Sequence, residues 1–474
     1  MRRGCSVFVF LFVCSFAQAE MFEVSNINDA GAGSLRQAVL DANSAAAPPH
    51  RIVFGSGFLH QGTIELFSSL PLVQVELEID GAGRDPRMMA FDPSNSFPLL
   101  RTRHGLTLRG LSLSFGRGSG SGGCLAGEGA DNTRLLLLDG VKFSNCTTVA
   151  GGDSPASGGA VSWPAGAPVR VLNSNFDSNS AVSLGTGTAA GGALSVRGPL
   201  HIESSTFTAN ALNGGIVVGG AVAANLALPG TIEIRDSVFT GNVAEPDAVS
   251  SPIGIGGAAS LDCTTCSISL QRNYFGANRS RSTGALFVRG NGAVASLALY
   301  NTSFVGNHST GQGGALFANS ALLEIRHATF FGNRAPTGGH IFTTQSSVSE
   351  LSNSILAPVA EGSGTACSIG AVAAVAVGNY RSASDFSCNV AVPGSTPVAD
   401  FRVVGVNEQQ AVPVFGFDRS SVVVDGADSG RCLPDDARGT LRPQDGNNDG
   451  SALCDAGAFE LPYDDRIFRG SFEP

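Results

Sequence analysis

Lysine is nearly missing from this chain: Lys142 is the only one in 474 residues, and just 14% of the residues are charged. With 29 basic residues against 39 acidic ones and a net charge of −10, the chain lacks the basic patches that nucleic acid or anionic membrane surfaces require of a partner. Past the N-terminus no apolar run approaches the roughly 20 residues of a membrane-spanning helix. Histidine is sparse, and His50, His60, His104, His201, His308, His327 and His340 are scattered without metal-ligand spacing. What is abundant is glycine, 62 residues, together with 43% hydrophobic residues. So many glycines with so few charges would suggest disorder, but this apolar content is enough for a long core.

The N-terminus reads as an export signal. Arg2 and Arg3 precede an unbroken apolar run over residues 7–14, and Ala17-Gln18-Ala19 is a small-x-small cleavage site before Glu20. Removal of residues 1–19 takes away Cys5 and Cys14 and leaves eight of the ten cysteines. These fall as neighbours along the chain: Cys124 with Cys146, Cys263 with Cys266, Cys367 with Cys388, and Cys432 with Cys454. In an exported protein that arrangement predicts local disulfides. The rival reading of Cys263-Thr-Thr-Cys266, a zinc or redox motif, lacks a second ligand pair.

Internal periodicity is the strongest signal. Phe-x-x-Asn recurs at Phe176/Asn179, Phe207/Asn210, Phe239/Asn242, Phe275/Asn278, Phe304/Asn307 and Phe330/Asn333, after a degenerate copy at Phe143/Cys146; the steps run from 26 to 36 residues. Gly-Gly-Ala recurs between them at residues 158–160, 191–193, 219–221, 256–258 and 313–315, with Gly284-Ala285 and Gly338-Gly339-His340 as partial forms. Seven residues before each phenylalanine stand Val169, Leu200, Ile232, Ile268, Leu297 and Leu323; five before stand Val171, Ile202, Ile234, Leu270, Leu299 and Ile325. The position between them is mostly polar, so the period is two and one strand face is buried. A lone strand cannot bury that face, whereas equivalent strands stacked in parallel can. A helical solenoid fails because no i, i+3, i+4 face persists, and a propeller blade needs a longer repeat. The prediction is an all-β, right-handed, single-stranded parallel β-helix of the pectin-lyase-like kind. Glycine pairs would turn its corners, and the asparagines would stack as an amide ladder that satisfies turn backbone groups.

Gly-Gly-Ala followed by Phe-x-x-Asn resembles the paired repeats of the polymorphic outer-membrane proteins, bacterial β-helical surface proteins and adhesins, over residues 143–340. The resemblance implies a secreted or outer-membrane protein at the bacterial surface, without catalytic activity, that acts as an adhesin or binding scaffold for a host or environmental surface or an extracellular glycan. Autotransporters of that family end in a β-barrel; here thirteen residues follow Leu461, too few for a barrel hairpin, so self-translocation is not expected. The alternative is a polysaccharide lyase or hydrolase, since large β-helices host both.

The chain divides accordingly. Residues 1–19 are the signal and residues 20–424 the β-helix, with an N-terminal cap over about 20–60 and repeats over about 136–356. Residues 425–461 form an Asp/Gly-rich segment and residues 462–474 a tail with a possible sorting role. Ser34-Leu35-Arg36-Gln37 is a capping box, and Leu35, Ala38, Val39 and Ala42 share one face, which predicts a short helix lying over the first coil. Residues 52–54, 64–66 and 75–79 read as strands of the opening coils. The run from Arg438-Gly439-Thr440 to Cys454-Asp455-Ala456-Gly457-Ala458-Phe459-Glu460 resembles a C-terminal, anchor-type segment of exported β-helix proteins.

Two places could carry chemistry. Asp445-x-Asn447-x-Asp449-Gly450 matches the first half of a calcium loop, but Ala456 stands where an EF-hand has its bidentate glutamate, leaving Asp455 as the nearest substitute. Calcium is thus the one cofactor the sequence suggests, with a solvated Asx turn as the alternative. The column three residues before each phenylalanine, Asn173, Ser204, Asp236, Arg272, Asn301 and His327, offers Asp236 beside Arg272 as its only acid-base pair. A solvated ion pair at a turn is expected there, and with no carboxylate cluster visible along the coils no catalytic residue is assigned.

Overall fold

In the computed structural model, residues 20–463 are described, apart from 47, 91–96, 130–133, 164–165, 228, 247–252, 291–293 and 408–409. The proposed signal, residues 1–19, and most of the tail, including residues 466–474, lie outside the described residues.

The chain is a parallel β-helix. Two sheets of thirteen strands, one of ten and one of seven run along it, and in each the strand from one coil is hydrogen-bonded to those of the coils before and after. The aliphatic columns sit in register in the first sheet, Val169↔Leu200↔Ile232↔Ile268↔Leu297↔Leu323, and are buried. We call this the aliphatic sheet. In the second long sheet the phenylalanines align, Phe143↔Phe176↔Phe207↔Phe239↔Phe275↔Phe304↔Phe330. Their rings stack at 4.7 to 5.1 Å. Each buried ring contributes roughly 1.5–3 kcal/mol from burial alone.

The asparagine ladder forms as the repeat predicts. The Oδ1 of Asn242 accepts the Asn210 N–H at 3.0 Å and the Asn210 Nδ2 at 2.9 Å, while its own Nδ2 donates to the Phe207 carbonyl at 2.9 Å and to Asn278 Oδ1 at 2.9 Å. At the first rung Cys146 replaces asparagine: its N–H donates to Asn179 Oδ1, and its sulfur is bonded to Cys124. The two glycines of each pair have different tasks. Gly158 has φ +65°, which side chains disfavour, whereas a Cβ on Gly159 would lie 1.9 Å from the Gly192 carbonyl of the next coil.

The ladder ends on a histidine. His340, standing where other coils have alanine, is fully buried; its Nδ1 accepts from Asn333 Nδ2 at 3.3 Å and its Nε2 donates to the Ala357 carbonyl at 2.6 Å. Burial pushes its pKa from 6.5 down to about 4. With the folded value below the unfolded one, the stability it contributes is complete above pH 6.5 and is lost as pH falls toward 4, up to about 3 kcal/mol. His340→Ala is therefore expected to flatten the dependence of stability on pH between 6.5 and 4, measured by urea unfolding. Equal slopes in both proteins would refute this.

The four neighbouring cysteine pairs are disulfide-bonded, with Cα separations of 4.9 to 6.1 Å. The helix Leu35–Ser44 caps the start of the stack with Leu35, Ala38, Val39 and Ala42 buried. Ser34 accepts the Gln37 N–H, but the Gln37 side chain turns to Asp41, so only half of the capping box forms. The opening strands are His50–Phe54, Thr63–Leu66 and Leu77–Asp80, and Met21–Val24 precedes them. The last strand of the phenylalanine sheet is Thr396–Val398. After it, Val403–Asn407 and Val414–Phe417 pair as an antiparallel hairpin, and Phe401, Phe415 and Phe417 cover the outer face of the phenylalanine sheet at Val305, Phe331 and Ile355. The outward positions that follow the stacked phenylalanines turn apolar at Val305 and Phe331, where the hairpin residues pack against them.

Candidate functional site

The expected solvated pair Asp236–Arg272 is not solvated. Every residue of its column, Asn173, Ser204, Asp236, Arg272, Asn301 and His327, has φ between +47° and +54°, which makes a corner between the aliphatic and phenylalanine sheets. The chain's own C-terminal segment lies along that corner. Asn353 binds the Asp428 backbone through both amide atoms, at 2.7 and 3.0 Å. His327 Nε2 accepts the Leu433 N–H at 3.4 Å, and Asn301 Nδ2 donates to the Asp435 carbonyl at 2.9 Å. Arg272 forks onto Asp236 at 2.6 and 2.9 Å and reaches Asp435 at 3.0 Å. The Arg272 and Asp236 side chains are only 19% and 27% exposed. The column looked like a surface in the sequence because its cover arrives from more than 100 residues downstream.

The segment is locked internally by a buried ion pair. Arg442 is bonded to Glu460, both side chains fully buried, and also donates to the carbonyls of Asp435, Asp455 and Gly457. Glu460 accepts the Gln444 and Asp455 N–H groups. Burial pushes the carboxyls of Glu460 and Asp455 up and the Arg442 guanidinium down. Residues 435–460 are thus a set that hold one another.

The candidate calcium residues are brought together only in part. In residues 445–450, Asp445 accepts the Asp449 and Gly450 N–H groups at 3.0 Å, Asn447 accepts the Asp449 N–H at 2.8 Å, and Asp449 accepts the Ser451 N–H at 2.9 Å. These are nested Asx turns. Asp455 does not join them: its carboxylate takes the Asp425 N–H at 2.7 Å and the Leu461 N–H at 2.6 Å. Among the described residues no three His, Cys, Asp or Glu side chains gather as a metal site.

A charged cluster does exist on the aliphatic sheet, contrary to the reading of its columns. His201 lies 2.9 Å from Glu233 and 3.2 Å from Glu203, and Arg235 bonds Glu203 at 2.8 Å. Glu203 is held below the ordinary carboxylate range, chiefly by Arg235, which suits an ion-pair partner and not a general acid. The missed signal is the column four residues before each phenylalanine, which carries Glu203, Arg235 and Arg326. It sits beside the His201–Glu233 column, and only register shows that the two interleave.

A cleft opens on the ten-stranded corner sheet, where strands Val161–Trp163, Leu194–Val196, Val222–Leu226 and Ala259–Cys263 follow the glycine pairs. Its volume is about 360 Å³. Ser162, Ser195, Ala223 and Ser260, in register, make the floor. One wall is a four-stranded sheet contributing Ser157, Thr188, Ala190 and Val218; the other carries Arg197, Asn225 and Asp262. At the following coils the floor column becomes Phe287, Phe317 and Phe342, with rings 5.4 and 4.8 Å apart. No known protein family, curated protein or solved structure matches the chain.

Proposed function

We propose that this chain is a noncatalytic, exported β-helical protein of the bacterial surface, secreted or held at the outer membrane, serving as a binding scaffold or adhesin. The observation that carries the reading is the corner column: of the side chains best placed to converge from successive coils, Arg272, Asn301 and His327 are committed to the chain's own residues 433–435, and Asp236 is committed to Arg272. The resemblance of the repeats to the polymorphic outer-membrane proteins supports the surface role, and four disulfides suit an oxidising compartment.

The second reading, a polysaccharide lyase or hydrolase, draws on His201 between two carboxylates. One screen separates the two. Cells are fractionated, and the purified protein is incubated with pectate and alginate, with and without millimolar calcium. The expected outcome is protein at the surface or in the medium and no release of unsaturated or reducing ends. Release that His201→Ala, Asp236→Ala or Arg272→Ala abolishes would establish the enzyme instead. Calcium at residues 445–450 would displace the Asx-turn bonds and raise the melting temperature by mass action; an unchanged melting temperature in wild type and Asp449→Ala excludes it.

A further inference from the structure

We propose that the corner-sheet cleft binds a short stretch of a neutral polysaccharide, with Asp262 as its central hydrogen-bond acceptor; this deepens the scaffold reading and rests on it. Asp262 is 7% exposed and lines the cleft. Its Oδ2 is taken by Arg289, whose Nε donates at 3.0 Å. Its Oδ1 is shielded from solvent and has no hydrogen-bond partner among the described residues. A carboxylate oxygen in that position is costly unless a donor reaches it. Because Asp262 lines the cleft, a rotation of its carboxylate would bring that oxygen to a sugar hydroxyl, which supplies such a donor.

The rest of the lining fits the same chemistry. The floor and walls alternate hydroxyls and an amide, from Ser157, Ser162, Thr188, Ser195, Asn225 and Ser260, with the small apolar surfaces of Ala190, Val218 and Ala223. Hydroxyls pair with hydroxyls, and small apolar patches suit the CH faces of a pyranose. At the next coil the floor column is closed off by Phe287, which is buried, with Arg289 5.9 Å from its ring centre. The lining comes from five successive coils, about 19 Å at 4.8 Å per coil, which is long enough for an oligosaccharide. At about 360 Å³ the cleft sits at the lower end of ligand-site volumes. A carboxylate or sulfate set against the Asp262 oxygen would be repelled, so the group expected there is a hydroxyl, while Arg289 pairs with Asp262 and Arg197 stands on the same wall. A peptide strand is disfavoured because the strands below are already bonded to coils on both sides, leaving no edge for β-augmentation.

The test titrates the whole protein with neutral hexasaccharides (cellohexaose, maltohexaose and laminarihexaose), with oligogalacturonate as the acidic control and an unstructured peptide as the protein control. Binding of at least one neutral sugar is expected, weakened about tenfold by Asp262→Asn, the equivalent of about 1.4 kcal/mol. Ala223→Trp, which fills the floor, should abolish it. Circular dichroism of both variants verifies the fold; should Asp262→Asn not fold, Ser195→Tyr takes its place. No neutral sugar bound at millimolar concentration, binding unchanged in the variants, or preference for the acidic chain or the peptide would overturn the proposal. Because localisation is read separately, a surface protein that binds no neutral sugar refutes the cleft alone, and an intracellular protein refutes the scaffold reading.

Discussion

Asn242→Ala is expected to destabilise the central coils by on the order of 5 kcal/mol. The substitution takes the acceptor from the Asn210 N–H and Nδ2, and the Nδ2 donor from the Phe207 carbonyl. Three polar groups in a dry interior each lose a bond, Asn210 Nδ2 keeping only the Phe176 carbonyl, at roughly 1–3 kcal/mol each. Asn210 and Asn278 are themselves buried, so water cannot replace the amide without opening the stack. Phe239→Ala, which cuts the ring column between Phe207 and Phe275, should cost a comparable 3–5 kcal/mol. Coils interact mainly with their neighbours, so the loss should be local, and hydrogen exchange should rise around residues 207–278 before it rises at the ends. A shift below about 1 kcal/mol for Asn242→Ala would mean that the ladder is not what holds the turns.

Arg442→Met is expected to free the C-terminal segment while the coils stay folded. Glu460 would be left as a buried carboxylate without its cation, a defect of about 3–5 kcal/mol. The carbonyls of Asp435, Asp455 and Gly457 would lose a donor at the same time. For that reason a double replacement, Arg442→Met with Glu460→Leu, should not recover stability as apolar substitutions of simple ion pairs often do. The readout is limited proteolysis: cleavage after residue 425 should speed up in the variant, with a fragment covering the coils remaining intact. Protection equal to wild type would refute the lock. Once the segment is off, Asp236 and Arg272 become the solvated pair that their sequence context suggests.

The repeat determined the coils from the sequence alone. Val169 to Leu323, Phe143 to Phe330 and Asn179 to Asn333 recur at intervals of one coil, and a parallel stack lets a single local pattern specify strand, register and ladder together. The capping helix was legible for the same local reason, as were the neighbouring disulfides. What the tertiary structure decided involves partners far apart in the chain. The clamp of residues 428–435 on the corner column, the hairpin Val403–Phe417 over Phe331, and the burial of Arg442 against Glu460 depend on where an aperiodic segment returns. The His201 cluster and the Asp262 cleft depend on which side chains register sets beside each other on neighbouring coils. A repeat fixes the spacing of identical positions, because each coil meets its neighbour in the same way. It carries no information about a segment that meets the stack only once, and there burial, pairing and access are set by packing.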